Sequence, residues 1–210
     1  MSNPIGRSAS SSSQATPVDA FPNIKLQGPT FLTGAGDGSN RLFVTDRNGV
    51  IWVFPNNRTA ASASVLLDIS DRVDDSSGEG GMLGLAFDPA FASNGYFYVT
   101  YVTPGSATVT EANRKVRLSQ FKVTTIGGNV ASAASERVVL EYAHSEGYHF
   151  GGWIGFGPEG SNTLYMSAGD NGDWVAVQDT SSLFGKVLRI RINPANATYT
   201  NPPDNPFGNS

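Results

Sequence analysis

The sequence predicts an all-β protein built as about three blades of a β-propeller, and three observations point there. Charged residues make up only 15% of the 210, while Gly numbers 24 and Pro 12. That balance suits short strands and many turns better than amphipathic helices. No stretch keeps the 3.6-residue apolar period of a surface helix, whereas several keep the two-residue period of a strand. The third observation is a repeat of apolar run, Ser-Asn or Asn-Gly turn, and second apolar run. Its copies are F-L-T-G-A-G-D-G-S-N-R-L-F-V-T-D, L-G-L-A-F-D-P-A-F-A-S-N-G-Y-F-Y-V-T-Y and I-G-F-G-P-E-G-S-N-T-L-Y-M-S-A-G-D. Aligned on Leu42, Phe97 and Leu164, they lie roughly 60 residues apart, room for the four strands of one blade. A β-sandwich is the alternative, since its strands alternate in the same way.

Residues 1–17 are Ser-rich without apolar period and read as a disordered leader, leaving 18–210 for the propeller. Strands are expected over 41–46 and 50–55 around the turn R-N-G, with Pro55 and the polar run after it ending the pair. Strand 65–70 follows, then an acidic loop of small residues into 82–89, then 94–102 and a long polar loop to about Arg114. The run K-V-R-L-S-Q-F-K-V (115–123) alternates as a half-exposed strand does. Strand 136–142 leads to a hairpin from W-I-G-F (153–156) to T-L-Y-M-S (163–167) across G-P-E-G-S-N. A last strand over 182–192, broken or bent at Gly185, precedes a Pro-rich tail. Three copies use up the chain, while closed propellers typically have four to eight blades. An incomplete toroid with an unpaired edge is therefore expected.

Charge and composition exclude several functions. A net charge of −4 with scattered Lys and Arg argues against nucleic acid and against an anionic membrane surface as partner. No run is long enough to span a bilayer. The lack of cysteine excludes disulfides, thiolate metal sites and cysteine nucleophiles together. The N-terminus lacks the apolar core of a secretory signal.

The candidate chemistry lies between Tyr148 and Gly172. A hairpin sends the chain out and back, so His149 before its first strand and Asp170 after its second share one end. A carboxylate bonded to one imidazole nitrogen fixes the tautomer and leaves the other nitrogen free to take a proton.

The order of motifs carries a resemblance. G-E-G-G-M-L-G-L-A-F-D-P-A-F, N-G-Y-F-Y-V-T-Y, R-L-S-Q-F-K-V, H-F-G-G-W-I-G-F-G-P-E-G, L-Y-M-S-A-G-D-N-G, Q-D-T-S-S-L-F-G-K-V-L-R-I and P-P-D-N-P-F follow one another. From about Val18 to Phe207 the chain resembles the soluble quinoprotein glucose/sorbosone dehydrogenases, aldose sugar dehydrogenases included, over their N-terminal half. The resemblance implies a six-bladed propeller, usually periplasmic or secreted, that binds pyrroloquinoline quinone (PQQ) with calcium. It implies oxidation of an aldose at the anomeric carbon to a lactone, with hydride passing to the quinone. His149 then matches the general base and Asp170 the carboxylate that holds it. Glu79 falls where some members use glutamine to contact sugar, Tyr148 where some place an aspartate beside the base, and Asn171 next to the orienting carboxylate. These three are the expected sugar-binding residues. Phe150 replaces a polar residue often seen after the histidine. The family's quinone-gripping Arg and Lys residues and its calcium ligands belong to later blades, so no cofactor or metal ligand is assigned here. Non-catalytic animal relatives share the pattern, which makes a protein-binding module, or an inactive fragment of the dehydrogenase, the alternative. An open edge also admits association of chain copies.

Other residues receive plainer readings. His144 is expected to be solvated in an inter-strand loop. The acidic cluster Asp71, Asp74, Asp75 and Glu79 lacks the spacing of a calcium loop and reads as a solvated charged loop. Trp153 and Trp174 are assigned to blade packing, with Trp174 placed where it could line the mouth. Asn57-Arg58-Thr59 and Asn196-Ala197-Thr198 fit the glycosylation pattern, which is common by chance.

Overall fold

The computed structural model describes residues 15–104, 113–159 and 162–207. The expected leader, apart from Ala15–Pro17, and most of the polar loop before Arg114 lie outside the described residues. The chain forms three four-stranded antiparallel sheets, each a meander in chain order. The first holds β1 (Pro29–Gly34), β2 (Arg41–Asp46), β3 (Val50–Pro55) and β4 (Ser64–Asp68). The second holds β5 (Met82–Phe87), β6 (Tyr96–Thr103), β7 (Lys115–Lys122) and β8 (Arg137–Ala143). The third holds β9 (Gly151–Phe156), β10 (Thr163–Ala168), β11 (Lys186–Asn193) and the short β12 (Thr198–Thr200). The first strands neighbour one another, β1 beside β5 and β5 beside β9. The sheets are thus successive propeller blades with β1, β5 and β9 innermost, and among the described residues they close no ring.

The threefold repeat is the inner hairpin of each blade. Leu42, Phe97 and Leu164 hold equivalent places on β2, β6 and β10, paired with Gly34, Phe87 and Phe156 of the inner strand. Strand β6 shows why a blade reads as a continuous apolar run. Its odd-numbered Phe97, Val99 and Tyr101 enter the core shared with the first blade, while Tyr98 and Val102 enter the core shared with the third. Both faces are covered, so the polar alternation of a half-solvated strand is lost.

Strand boundaries move by a few residues from expectation, and β11 starts just after Gly185, whose φ is 65°. Two readings need correction. Strand β7 is not half-exposed: Ser119 and Gln120 are buried and Arg117 is half-buried. These polar side chains are tolerated inside because each finds a partner. Arg117 Nε donates to Glu141 at 2.6 Å, the Ser119 hydroxyl to Glu136 at 2.7 Å, and the Gln120 amide to the Pro194 carbonyl at 2.9 Å. The tryptophans are not blade packing either, since Trp153 is 50% and Trp174 75% exposed.

Candidate functional site

The polar rim lies where the chain enters the inner strands of the second and third blades. Glu79 precedes β5 and His149 precedes β9, so the neighbourhood of those strands brings together residues seventy positions apart. Arg47, beyond β2, fixes the loop that carries Glu79 by donating to the Gly78 carbonyl at 2.8 Å and the Asp75 carbonyl at 2.5 Å.

His149 is held at three points. Its backbone N–H donates to Glu79 Oε2 at 2.6 Å, its Nδ1 lies 2.8 Å from Asp170 Oδ1, and its carbonyl lies 3.2 Å from His144 Nε2. Its φ of 59° is left-handed, a conformation that costs a non-glycine residue about 1 kcal/mol or more and persists only where the surroundings impose it. Gly169, at the end of β10, makes room for the bend: a Cβ there would lie 1.4 Å from the His149 oxygen.

Asp170 also accepts the Gly172 N–H at 2.9 Å. That bond first, and the His149 contact second, hold its carboxyl below the usual carboxylate range. A carboxylate can only accept, so Nδ1 carries the shared proton, and in the neutral ring Nε2 keeps its lone pair. The His149 side chain is 46% exposed, open enough for a ligand to reach that lone pair.

The structure brings the other expected residues to the same rim in different roles. Tyr148 is 43% exposed and stands edge-on to the His149 ring at 4.6 Å between centroids. Glu79 is exposed and its carboxylate accepts the His149 backbone N–H. The Asn171 side chain is engaged with the preceding loop: its oxygen accepts the Glu146 N–H at 3.0 Å and its amide donates to Ser145 Oγ at 3.3 Å.

Three rim residues escaped the sequence reading. His144 is fully buried, not solvated, and stacks 4.4 Å from the Phe150 ring. Burial first pushes its imidazole below the ordinary value, with the nearby Arg114 adding to the effect against the two carbonyls that oppose it. Asp74 is likewise no solvated loop residue. It is 3% exposed and pairs at 2.9 Å with Arg114, which is 4% exposed. The Ser76 hydroxyl and N–H, with Arg114, hold the Asp74 carboxyl below its ordinary range despite the opposing effect of burial, which is the largest single influence. No local pattern announces the ion pair, because Arg114 finds Asp74 and the Glu146 carbonyl 40 and 32 positions away.

Fold and rim together define a propeller with a histidine–carboxylate pair at the entry to an inner strand. The Glucose / Sorbosone dehydrogenase model matches residues 26–210, and the chain belongs to that family. Mouse Hedgehog-interacting protein is 30% identical over 195 residues, covering 88% of this chain and 27% of that protein. The HIPL2 protein of Arabidopsis thaliana is 27% identical over 230 residues, covering 81% of this chain and 32% of its own length. Among solved structures, a glucose dehydrogenase-type oxidoreductase from Thermus thermophilus is 30% identical with a TM-score of 0.66, covering 88% of this chain and 48% of that one. The PQQ-bound aldose sugar dehydrogenase of Streptomyces coelicolor is 26% identical with a TM-score of 0.66, covering 89% and 49%. The chain thus spans about half the length of these dehydrogenases and about a third or less of the curated relatives.

The donor set of this chain does not by itself fit a polyanionic quinone or calcium. Among the described residues no group of three His, Cys, Asp or Glu could hold a metal ion. Arg47 is spent on two backbone carbonyls and Arg114 on a buried carboxylate. No electron-transfer step is therefore assigned to residues of this chain.

Proposed function

We propose that the rim of the third blade is the general-base site of a dehydrogenase that oxidises an aldose or related sugar at its anomeric carbon. The supporting observation is the 2.8 Å bond from His149 to Asp170 on a half-exposed ring, which in the neutral imidazole leaves Nε2 free to accept a proton. Nε2 takes the proton of the anomeric hydroxyl, and Asp170 offsets the charge of the imidazolium that forms. Tyr148 bounds the space beside the base, and Glu79 and Asn171 set the loops around it, so these three are the sugar-facing candidates. The S. coelicolor neighbour, solved with PQQ, supports the quinone as the electron acceptor of the reaction, and the family resemblance adds calcium beside it. A periplasmic or secreted location follows from the same kinship. Among the described residues no helix is long and apolar enough to cross a membrane.

Quinone-dependent dye reduction with an aldose panel tests this reading in the parent protein loaded with PQQ and calcium. His149→Ala is expected to lower turnover about 100- to 10,000-fold while sugar affinity changes little. Asp170→Asn is expected to slow the reaction as well, because an amide cannot offset the imidazolium and can hold the wrong tautomer. Near-parental turnover of His149→Ala with every oxidised sugar would rule the mechanism out. The kinship with Hedgehog-interacting protein favours a second reading, a propeller that binds a protein without chemistry. A fully loaded parent that oxidises no sugar would transfer the proposal to it.

A further inference from the structure

The proton transfer uses neither the buried ion pair Asp74–Arg114 nor the buried His144, yet both meet the loop that carries the base. Arg114 stands just before β7, and its backbone carbonyl accepts the His144 N–H at 2.9 Å. Its guanidinium leaves Nε to Asp74 and turns Nη1 to the Glu146 carbonyl at 3.3 Å and the Ser145 carbonyl at 3.5 Å. The His144 ring lies between two carbonyls, Glu146 at 3.2 Å from Nδ1 and His149 at 3.2 Å from Nε2. A neutral imidazole has one N–H and can satisfy only one of them.

The surroundings decide which. The Glu146 carbonyl already receives the Arg114 guanidinium, whereas His144 is the partner found for the His149 carbonyl. A carbonyl turned onto a fully buried ring loses most by lacking a donor, so the proton belongs on Nε2. That bond fixes the carbonyl side of a residue whose amide side is tied to Glu79 and whose ring is tied to Asp170.

We propose that His144 is a positioning residue for His149: its Nε2–H holds the His149 carbonyl, while Arg114, held by Asp74, occupies the competing Glu146 carbonyl and sets the His144 tautomer. The inference rests on the general-base reading of His149, and its first test does not depend on activity. The chain has two histidines, so long-range nitrogen–proton NMR spectra of histidine-labelled protein resolve both rings. In the unaltered protein His144 should be the Nε2–H tautomer and His149 the Nδ1–H tautomer. An Nδ1–H or charged His144 at neutral pH overturns the proposal, whatever any variant does. In His144→Phe, which keeps a ring and loses the donor, His149 should become a mixture of tautomers. His144→Gln, with an amide donor, should restore much of the single form. An unchanged His149 in a folded His144→Phe protein also overturns the proposal. Should that variant not fold, the tautomer of His144 in the unaltered protein decides alone. Where sugar oxidation is measurable, His144→Phe should lower kcat about 10- to 100-fold with KM nearly constant, as for other supporting-shell losses. Failure of the base reading appears separately, as an active His149→Ala enzyme with His144 still in its assigned tautomer.

Discussion

The two seams between blades differ in how they are filled. The seam between the first and second blades is aromatic in its body. Phe43, Phe87, Phe97 and Phe121 follow one another with ring centroids 4.6 to 5.9 Å apart. The seam between the second and third is aliphatic in its body, with Ile154, Leu164, Met166, Ile190 and Val102. Toward the rim it becomes polar. There the Thr100 hydroxyl donates to the Gly152 carbonyl, and Asp74, Arg114 and His144 lie under the base. Apolar packing sets how closely two sheets approach, but it is tolerant of small slips. Directed bonds to named carbonyls fix one backbone geometry. Both seams carry such bonds: Thr30 Oγ1 donates to the Met82 carbonyl at 2.7 Å and Arg72 to the Ala133 carbonyl at 2.8 Å across the first, while in the second they converge on the loop that holds His149.

The largest expected effect separates the two kinds of filling. Asp74→Ala leaves the Arg114 guanidinium buried without its carboxylate and should cost about 3–5 kcal/mol. Phe97→Ala in the aromatic seam should cost a similar 3–5 kcal/mol, from lost burial and the cavity left behind. The seams part on the second substitution. Replacing Asp74 and Arg114 together by Leu and Met removes both charges and should recover most of the loss in stability. It should not recover the His149 tautomer, because the carbonyls that Arg114 served are left open. Denaturant melts combined with the histidine spectra check this. A double variant as unstable as Asp74→Ala would show that the pair contributes net stability and not only geometry.

A smaller effect comes from pH. The His144 imidazole is depressed in the folded chain, with burial the main cause. As pH falls through the ordinary histidine value of about 6.5, the unfolded chain therefore takes a proton that the folded chain refuses. Stability is present above that value and is lost on acidification, by at most about 1.4 kcal/mol per pH unit for one proton. The depressed carboxyls Asp74, Glu136 and Glu141 act in the same direction, but only as pH falls below their ordinary range near 4. Between about pH 6.5 and 5 the slope should thus shrink in His144→Gln. A thermal midpoint with the same slope in that variant would remove His144 as its source.

What the sequence made legible follows the range of each interaction. The inner hairpins are local, so turns such as Ser-Asn between apolar runs marked all three, and the histidine–carboxylate pair came with the hairpin that joins them. The edge strands were harder. β1 begins at Pro29 and exposes most of its side chains, and β12 has three residues, so neither offers enough alternation. The supporting shell under the base was not legible at all. Arg114 and Asp74 are 40 positions apart and His144 a further 30, and each lies where a strand gives way to a loop. The period-two pattern that reports burial has faded there, leaving composition, which reads as solvent. Glu79 was singled out through kinship as a sugar contact, and its observed bond to the His149 backbone could be seen only once β5 and β9 were neighbours.

The smallest expected effect lies on the outer face of the third blade, which contrasts with both seams. Val187 is 69% exposed, with Tyr199 at 38% and Phe207 at 62% close by around a cavity of about 480 Å³. The first blade differs at its own outer face: Val44 and Phe54 are covered by Phe21, Ile24 and Leu26 of the segment before β1. Apolar side chains exposed together, here beside Lys186 and Arg189, favour contact with another surface, so the chain should associate with itself as concentration rises. Val187→Lys puts a charge among these side chains without touching either buried seam. An exposed substitution of this kind should alter stability by no more than about 0.5 kcal/mol. Its effect should appear in size-exclusion chromatography, as a later-eluting species with an unchanged melt. If the parent chain elutes as a monomer across the concentration range, the exposed face is not sticky enough to drive association. If Val187→Lys instead lowers the melting temperature by many degrees, the face is packed in solution and the contrast with the first blade disappears.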